Sequence, residues 1–260
     1  MNKIEQRKTM LIEQLLKRGR LSSEDVKALL GISQSSVRRL LVDLEKEGKA
    51  LRVHGGIQAR ALANESYVFS EFKEQNPEQK RQIGAYAAAH LVENADVIYL
   101  DSGTTIVQLA LALKRQIGEG RLKDIRVVTN SIPNMEILND AAEVILIGGR
   151  FREPRRDFAG YASERFLRCF NYQKAFLGAD GFDAQSGFLG KDTDTARLNE
   201  IILKRTQSTY ILIDSSKFTR SSFVSYAEAA DVTAVVTDQA VSPEIEKLCQ
   251  AQGLQIIKAV

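Results

Sequence analysis

The sequence has few cysteines and histidines and no long apolar run, and each shortage excludes a class of protein or site. The cysteines Cys169 and Cys249 form no CxxC pair and cannot build a disulfide framework, so we expect reduced thiols in a cytoplasmic protein. Because His54 and His90 have no cysteine cluster beside them, we expect no structural zinc site, and we expect no cofactor. No run approaches the roughly 18 apolar residues of a membrane span, and residues 1–18 lack the pattern of a secretory signal, so no membrane partner is expected.

The composition is that of an ordinary globular protein, with 44% hydrophobic and 27% charged residues in a chain of 260, enough for two domains. The charge is spread unevenly. Residues 1–60 hold 13 Lys and Arg against 7 Asp and Glu, whereas residues 61–260 hold 23 against 26. This asymmetry indicates that the first part meets a polyanion, although a merely solvated basic face remains the alternative.

Three helical patterns follow one another near the start of the chain. The first ends at Gly19, the second extends from the cap Ser22 to Gly31, and the third extends from Gln34 to about Glu47. Two short helices joined by a tight glycine turn and braced by a third helix predict a helix-turn-helix, with an ordinary three-helix bundle as the alternative.

The polar face of the third helix favours DNA as the partner. Gln, Arg and Ser stand at its N-terminal end and opposite its apolar stripe, and these residue types bind base edges and phosphates. Residues 49–57 follow as a short β-ribbon, a wing that adds backbone or minor-groove contacts; for its histidine, a plain surface-turn position is the simpler alternative. The predicted DNA-binding residues are Ser33, Gln34, Ser35, Ser36, Arg38, Arg39, Lys46, Arg52 and His54.

The rest of the chain alternates short apolar strands with helices, which is typical of an α/β domain on a largely parallel sheet. Residues 59–76 lose clear periodicity and predict a linker between a head, residues 1–58, and a body, residues 77–260. The strands are expected at residues 97–100, 126–129, 144–147, 174–177, 210–213, 234–236 and 254–257. The helices are expected at residues 78–92, 105–115, 132–139, 161–170, 194–206 and 243–251.

Small loops rich in glycine and hydroxyl groups follow several of these strands. The carboxyl ends of parallel strands lie along one edge of a sheet, where ligands bind. The loop 101–105 also begins a helix, whose N–H groups and dipole favour a phosphate. One such loop is weak evidence, because Gly and Ser are common in turns, but several on one edge predict a small phosphorylated ligand. The predicted ligand-binding residues are Asp101, Ser102, Gly103, Thr104, Thr105, Asn130, Ser131, Gly148, Gly149, Asp180, Gly181, Lys191 and Lys217.

Seven pieces of the chain together carry a family resemblance: SQSSVRR at 33–39, RVHGG at 52–56, DSGTT at 101–105, VTNS at 128–131, IGG at 147–149, KAFLGA at 174–179 and DSSKF at 214–218. On these pieces the chain resembles DeoR-type bacterial transcriptional regulators over nearly its whole length. The resemblance implies an N-terminal winged helix-turn-helix and a C-terminal α/β sensor that looks like ribose-5-phosphate isomerase. It also implies a homo-oligomer, a dimer or a tetramer, that represses a carbohydrate catabolic operon and leaves its double-stranded DNA operator when a phosphorylated sugar binds. Such a protein works in the bacterial cytoplasm and associates with the nucleoid when it is bound to its operator.

Two stretches depart from the family's pattern. Leu40 follows Arg39 where the family usually has Asp, which implies a recognition helix that differs in detail. Residues 194–199 read DTARLN where the family commonly has acidic residues and a lysine. The part of the effector that this second stretch contacts is therefore expected to differ as well.

An enzyme is the alternative function, namely a sugar-phosphate isomerase with an accessory helical domain. Asp101 or Asp180 would then act as the base and Lys191 or Lys217 as the electrophile in aldose–ketose proton transfer. In the isomerase that the sensor resembles, an acidic residue follows the equivalent of Asp180, whereas Gly181 stands there in this chain. A basic head also has no purpose in an isomerase, so we expect a regulator and not an enzyme.

Overall fold

The computed structural model describes residues 3–18, 20–46, 50–53, 56–59 and 69–260. The chain divides into two compact units, residues 1–66 with 221–223 and residues 67–220 with 224–260. Within the described ranges, every helix is too short or too polar to cross a membrane.

The first unit has the predicted winged helix-turn-helix, because two short helices and a longer one are followed by a β-ribbon. Its elements are α1 (Lys3–Arg18), β1 (Arg20–Ser22), α2 (Ser23–Leu30), α3 (Gln34–Lys46), β2 (Ala50–Val53) and β3 (Gly56–Ala59). The β-ribbon β2–β3 gains a third strand that the sequence did not predict, because β1 pairs with β3 in antiparallel register. Three residues between two helices are too few to show the alternation of a strand.

Local capping fixes the two-helix turn of the first unit. Ser22 Oγ accepts the N–H of Asp25 at 3.0 Å, and Asp25 Oδ2 accepts the N–H of Ser22 at 2.8 Å, which is a capping box. Gly31 ends α2 in left-handed backbone, with φ at +60°. The predicted apolar stripe of α3 is buried at Val37, Leu40, Leu41 and Leu44. The departure from the family's pattern at Leu40 therefore lies in the core of this unit and not on its exposed face.

The second unit has the predicted α/β fold on a parallel sheet. Its strands are β4 (Val97–Leu100), β5 (Arg126–Thr129), β6 (Glu143–Leu146), β7 (Arg150–Arg152), β8 (Asp157–Ala159), β9 (Tyr172–Leu177), β10 (Gly181–Asp183), β11 (Gly187–Gly190), β12 (Thr206–Leu212), β13 (Val224–Ala227), β14 (Ala234–Thr237) and β15 (Ile256–Lys258). Its helices are α4 (Phe69–Lys73), α5 (Pro77–His90), α6 (Thr104–Gly118), α7 (Ile132–Leu138), α8 (Tyr161–Leu167), α9 (Thr193–Leu203) and α10 (Pro243–Ala251), with 3-10 turns at Glu153–Arg155, Ser215–Lys217 and Ala229–Asp231.

Seven strands form one sheet in the order β15-β14-β12-β9-β4-β5-β6, and every neighbouring pair is parallel. Alternate residues of each strand face opposite sides. Tyr99 and Ala175 join one core, whereas Ile98, Leu100 and Phe176 join the core on the other side. Helices therefore cover both faces of the sheet, as the near-continuous apolar strands of the sequence require.

The extents of some elements differ from the predicted ones. Strand β12 begins at Thr206, four residues before its predicted start, because it pairs with β9 from Tyr172 onward through polar residues that do not resemble a buried strand. Helix α9 ends at Leu203, since the chain then enters this strand. The hairpin β7–β8 and the antiparallel sheet β10-β11-β13 were not predicted. Their residues are charged, glycine-rich or short in run, so they lack the apolar pattern of the main strands.

The strand order reverses beside β4. After β4 the chain builds β5 and β6 on one side, and it then returns to build β9, β12, β14 and β15 on the other side. The loops that follow β4 and β9 therefore diverge at adjacent positions of the sheet edge. In open α/β sheets this switch point leaves a crevice in which ligands bind.

Candidate functional site

A small cleft opens at this switch point, with a cavity volume of about 40 Å³. Its walls come from α4, α5 and the start of α6, from the loops after β4, β9 and β12, from the 3-10 turn at Glu153–Arg155, and from α9, β11 and β13. The residues that line it are Phe72, Lys80, Asp101, Gly103, Thr104, Thr105, Arg155, Gly178, Ala179, Asp180, Gly190, Thr195, Asn199, Leu212, Ile213, Lys217 and Tyr226.

The cleft joins six of the predicted ligand residues: Asp101, Gly103, Thr104, Thr105, Asp180 and Lys217. Thr104 and Thr105 are the first residues of α6, and both are largely buried. The N-cap residue of this helix, Gly103, provides no side-chain cap. The first N–H groups of α6, together with the two threonine hydroxyls, therefore suit an anion.

Asp101 ties the loop after β4 to the loop after β9. Its Oδ1 accepts the N–H of Ser102 at 2.7 Å, and its Oδ2 accepts the N–H of Gly178 at 3.1 Å. Burial raises the pKa of Asp101, while the two backbone N–H groups act in the opposite direction. On β13, Tyr226 donates its hydroxyl to the carbonyl of Gly178 at 2.7 Å, which fixes the same loop from the other side.

Two desolvated lysines give the cleft its cationic character. Lys80 on α5 is only 3% exposed, and burial lowers its pKa to about 8. Burial is also the main cause of the lowered pKa of Lys217, which follows the end of β12. Because both ammonium groups have lost most of their water, a bound anion would stabilise their charged forms.

Phe72 on the short helix α4 is the residue that these cations contact. Its carbonyl oxygen accepts a hydrogen bond from Lys80 Nζ at 2.5 Å. The centroid of its ring lies 5.4 Å from Lys217 Nζ and 4.2 Å from Lys191 Nζ. Lys191 was predicted as a ligand residue; it is not among the residues that line the cleft, but it contacts one that does, and its N–H donates to Asp180 Oδ2 at 3.1 Å.

Other predicted ligand residues are engaged elsewhere in the second unit. Ser102 Oγ donates to Asp157 Oδ2 at 2.6 Å. Asn130 accepts the hydroxyl of Tyr99 at 3.1 Å, and its amide donates to the carbonyl of Phe158 at 3.0 Å. These contacts hold the hairpin β7–β8 against the sheet edge, outside the lining of the cleft.

The remaining predicted residues also lie outside the lining. Ser131 Oγ caps α7 by accepting the N–H of Asn134 at 3.3 Å. The carbonyl of Gly148 accepts the hydroxyl of Ser163 at 2.9 Å, and Gly149 leaves no room for a Cβ beside that side chain. Gly181 is the first residue of β10.

A buried ionic network supports the wall of the cleft at Arg155. Asp157 is fully buried, and its oxygens accept Nε of Arg152 at 2.7 Å and Nε of Arg155 at 3.1 Å. Asp192, the cap of α9, accepts NH1 of Arg152 at 2.7 Å. Among the described residues, no group of three or more His, Cys, Asp and Glu side chains is arranged to hold a metal ion.

The lining residues that sequence reasoning missed include Phe72, Lys80, Arg155 and Asn199. The two that belong to α4 and α5 precede the first strand of the sheet, so no loop after a strand points to them. Arg155 lies in a charged turn without any periodic signal. The sequence analysis did single out residues 194–199, which contain Asn199, because this stretch departs from the family's pattern.

The predicted DNA-binding surface is exposed where the structure describes it. Ser33, Gln34, Ser35, Ser36, Arg38 and Arg39 are all exposed around the start of α3. Ser33 caps this helix, since its Oγ accepts the N–H of Ser36 at 3.3 Å. Lys46 ends α3 and Arg52 belongs to β2, but their side chains are outside the described part of the chain, as is the whole of His54.

Several bacterial regulators are similar to this chain over most of its length. The uncharacterized HTH-type transcriptional regulator FruR of Bacillus subtilis is 31% identical over 234 residues, 90% of each chain. A lactose phosphotransferase system repressor of Lactococcus lactis is 31% identical over 249 residues, 94% of each chain. Among solved structures, ribose 5-phosphate isomerase A of Methanocaldococcus jannaschii has a TM-score of 0.42 at 18% identity and covers 55% of each chain.

Two family descriptions match the two parts of the sequence. The DeoR-like helix-turn-helix domain matches residues 7–61, and the DeoR C terminal sensor domain matches residues 75–239. The second match alone extends over more than half of the chain. Together with the full-length similarity to the regulators above, these matches show that the chain belongs to the DeoR family of transcriptional regulators.

Proposed function

We propose that the chain is a DNA-binding repressor of a carbohydrate catabolic operon and that a phosphorylated sugar in the cleft controls it. One observation carries the ligand assignment. The uncapped start of α6, with Thr104 and Thr105, shares a cleft with the desolvated lysines Lys80 and Lys217. The name of one relative supports the operon class, since it is a lactose phosphotransferase system repressor.

The chemistry of the cleft divides between the two parts of such a ligand. A phosphate is satisfied by the N–H groups and hydroxyls of α6 and by the lysine charges. The carboxylates of Asp101 and Asp180 are acceptors for the hydroxyl groups of a sugar. Asp214 and Asp180 offset part of the charge of these lysines. A phosphate adds negative charge that an uncharged sugar lacks, so the phosphate is the larger part of the affinity.

The exposed start of α3 is the DNA-reading surface in this proposal, with Gln34 and Arg39 as candidates for base contacts. Residues 1–58 would bind DNA and residues 77–260 would bind the effector. Of the predicted linker 59–76, the part from Tyr67 onward belongs to the second unit and adds Phe72 to the cleft. A helix-turn-helix reads paired half-sites as a dimer, so we propose a homo-oligomer, a dimer or a tetramer, that works in the cytoplasm on chromosomal DNA.

No specific observation favours the isomerase alternative. Asp101 is engaged by two backbone N–H groups, and Gly181 stands where the acidic residue would follow Asp180. The similar full-length proteins reported above are regulators.

The proposal is tested by binding and release together. DNA selected by the protein from a random pool serves as the operator, and sugar phosphates, the same sugars without phosphate, and inorganic phosphate serve as ligands. We expect one sugar phosphate to raise the melting temperature and to release the DNA, while its unphosphorylated sugar does neither. Equal binding of the unphosphorylated sugar, or turnover of the sugar phosphate into its isomer, would contradict the proposal.

A further inference from the structure

Asn199 is a buried amide that has no hydrogen-bond partner among the residues that the structure describes. It lies on α9, is fully buried and belongs to the residues that line the cleft. Neither its Nδ2 nor its Oδ1 has a hydrogen-bond partner in the structure. Buried polar side chains are almost always hydrogen-bonded, so each exception calls for an explanation.

The surroundings on α9 give no structural reason for an amide at this position. Leu198, Ile201 and Ile202 beside it are buried apolar residues. One turn earlier, Thr195 also lines the cleft, but its hydroxyl donates to Asp192 Oδ2 at 2.9 Å and accepts NH2 of Arg152 at 3.0 Å. An apolar side chain would fill the place of Asn199 without loss of any hydrogen bond within the protein.

We propose that Asn199 is a specificity-determining residue whose amide binds a hydroxyl group of the sugar part of the effector. This inference rests on the proposed function. An amide offers one donor group and one acceptor without charge, and a hydroxyl group does the same, so the two satisfy each other. A phosphate accepts only and is better served by the lysines and by α6. The position also falls in one of the two stretches that depart from the family's pattern.

The test compares Asn199→Leu with Thr237→Val. The hydroxyl of Thr237 is also buried and unpartnered, but it lies on β14 outside the lining of the cleft, so it is the matched control. Titration calorimetry is carried out on the full chain with ribose 5-phosphate, glucose 6-phosphate, fructose 6-phosphate and inorganic phosphate. We expect Asn199→Leu to weaken the tightest sugar phosphate by about tenfold or more and to leave inorganic phosphate within about twofold. Thr237→Val should change neither affinity.

The outcomes separate the two levels of the proposal. Unchanged sugar-phosphate affinity in Asn199→Leu overturns the role of Asn199 and leaves the proposed function standing. An equal loss for inorganic phosphate also overturns it, since the residue then acts on the site as a whole. If none of the three sugar phosphates binds the unmodified protein, both this inference and the proposed function fall. Asn199→Ala is the second variant, with the same expected selective loss, should the leucine variant not fold.

A different observation carries a second inference, which concerns how the effector signals. The three lysines at the cleft all contact Phe72, through its carbonyl or its ring. Phe69 and Phe72 anchor α4 by packing against Val107. Helix α4 is also the first described element of the second unit, which begins at Tyr67.

We infer that α4 is the element through which the bound effector reaches the head. A phosphate attracts Lys80, Lys191 and Lys217 more strongly than an aromatic ring and one carbonyl do, so its binding weakens the lysine contacts of Phe72. The inference rests on the proposed function, and it adds the direction of the change: α4 is held without the effector and released with it.

Phe72→Leu tests this coupling, with Phe69→Leu on the same helix as the matched control. Leucine keeps the apolar contact but removes the ring from the lysines, so we expect the sugar phosphate to bind about two- to fivefold more tightly. The ratio of operator affinities without and with the effector should shrink by the same factor, whereas Phe69→Leu should preserve it. An unchanged ratio in Phe72→Leu overturns the inference, and a failure of the unmodified protein to release DNA overturns the proposed function with it.

Discussion

The candidate site of the first unit is exposed to solvent, whereas that of the second unit is largely buried. In the first unit, Gln34, Arg38 and Arg39 are exposed on a helix whose other face is buried. In the second unit, Lys80 and Thr104 are almost buried, and they come from different helices. A surface that meets DNA keeps its charges in water, and its partner supplies the countercharge. A small-ligand cleft must desolvate its polar groups first, so it depends on the packing of the whole domain.

The largest expected effect comes from removing the hydroxyls at the start of α6. The double substitution Thr104→Val and Thr105→Val keeps volume and β-branching. Each hydrogen bond to a charged group contributes about 1.5–3 kcal/mol, so effector affinity should fall about a hundredfold or more. Operator affinity should be unchanged, because both residues lie in the second unit. Titration of operator release with the sugar phosphate measures this affinity. If the variant releases the operator at the same sugar-phosphate concentration as the unmodified protein, the phosphate does not bind at this loop.

The corresponding change in the first unit is Arg39→Ala. A bidentate contact with guanine contributes about 1–3 kcal/mol of discrimination, so operator affinity should fall more than affinity for random DNA. Arg121→Ala, which removes an exposed arginine from the second unit, is the control and should alter neither affinity. Fluorescence anisotropy at fixed salt measures both. If the affinities for operator and random DNA fall by the same factor, Arg39 contacts a phosphate and not a base.

The dependence of the cleft on packing can be tested at Gly84. A Cβ at this position of α5 would stand 2.5 Å from the backbone of Gln108 and Leu109 in α6. These two helices carry Lys80 and Thr104, so Gly84→Ala forces apart the elements that build the cleft. We expect the free energy of unfolding to fall by about 1–3 kcal/mol. Denaturant unfolding measures the loss, with Gly118→Ala, where a Cβ meets no atom within 4 Å, as the control. Equal stability of the two variants would contradict the close helix contact.

The same contrast explains what the sequence could predict. The three helices of the first unit and the main strands of the second were predicted because apolar periodicity marks each of them locally. Thr104 and Asp101 were predicted because they directly follow a strand. Phe72, Lys80 and Asn199 belong to helices that only the tertiary fold brings to the cleft, and a lysine or an asparagine in a helix is an ordinary surface residue by pattern. The burial of these side chains determines their binding properties, and burial cannot be read from a single sequence.

The smallest expected effect is a pH dependence that only the cleft should show. Burial lowers the pKa of Lys80 to about 8, with the charges of Lys217 and Arg220 adding to this and Asp214 opposing it. A phosphate binds the charged ammonium group, so effector affinity should fall about tenfold between pH 7 and pH 9 as Lys80 loses its proton.

The pH dependence of the folding stability has the opposite sign to that of effector affinity. The unfolded chain keeps the proton of Lys80 up to a pH of about 10.5, so the contribution of Lys80 to the free energy of unfolding should rise between pH 8 and that value. The proposed DNA-reading surface relies on arginine, a residue type that keeps its charge to a pH above about 12, so operator affinity should be level over the same range. Calorimetric titrations of Lys80→Arg provide the control, because an arginine keeps its charge and should flatten the effector profile. A profile that stays equally steep in Lys80→Arg would assign the titration to another group.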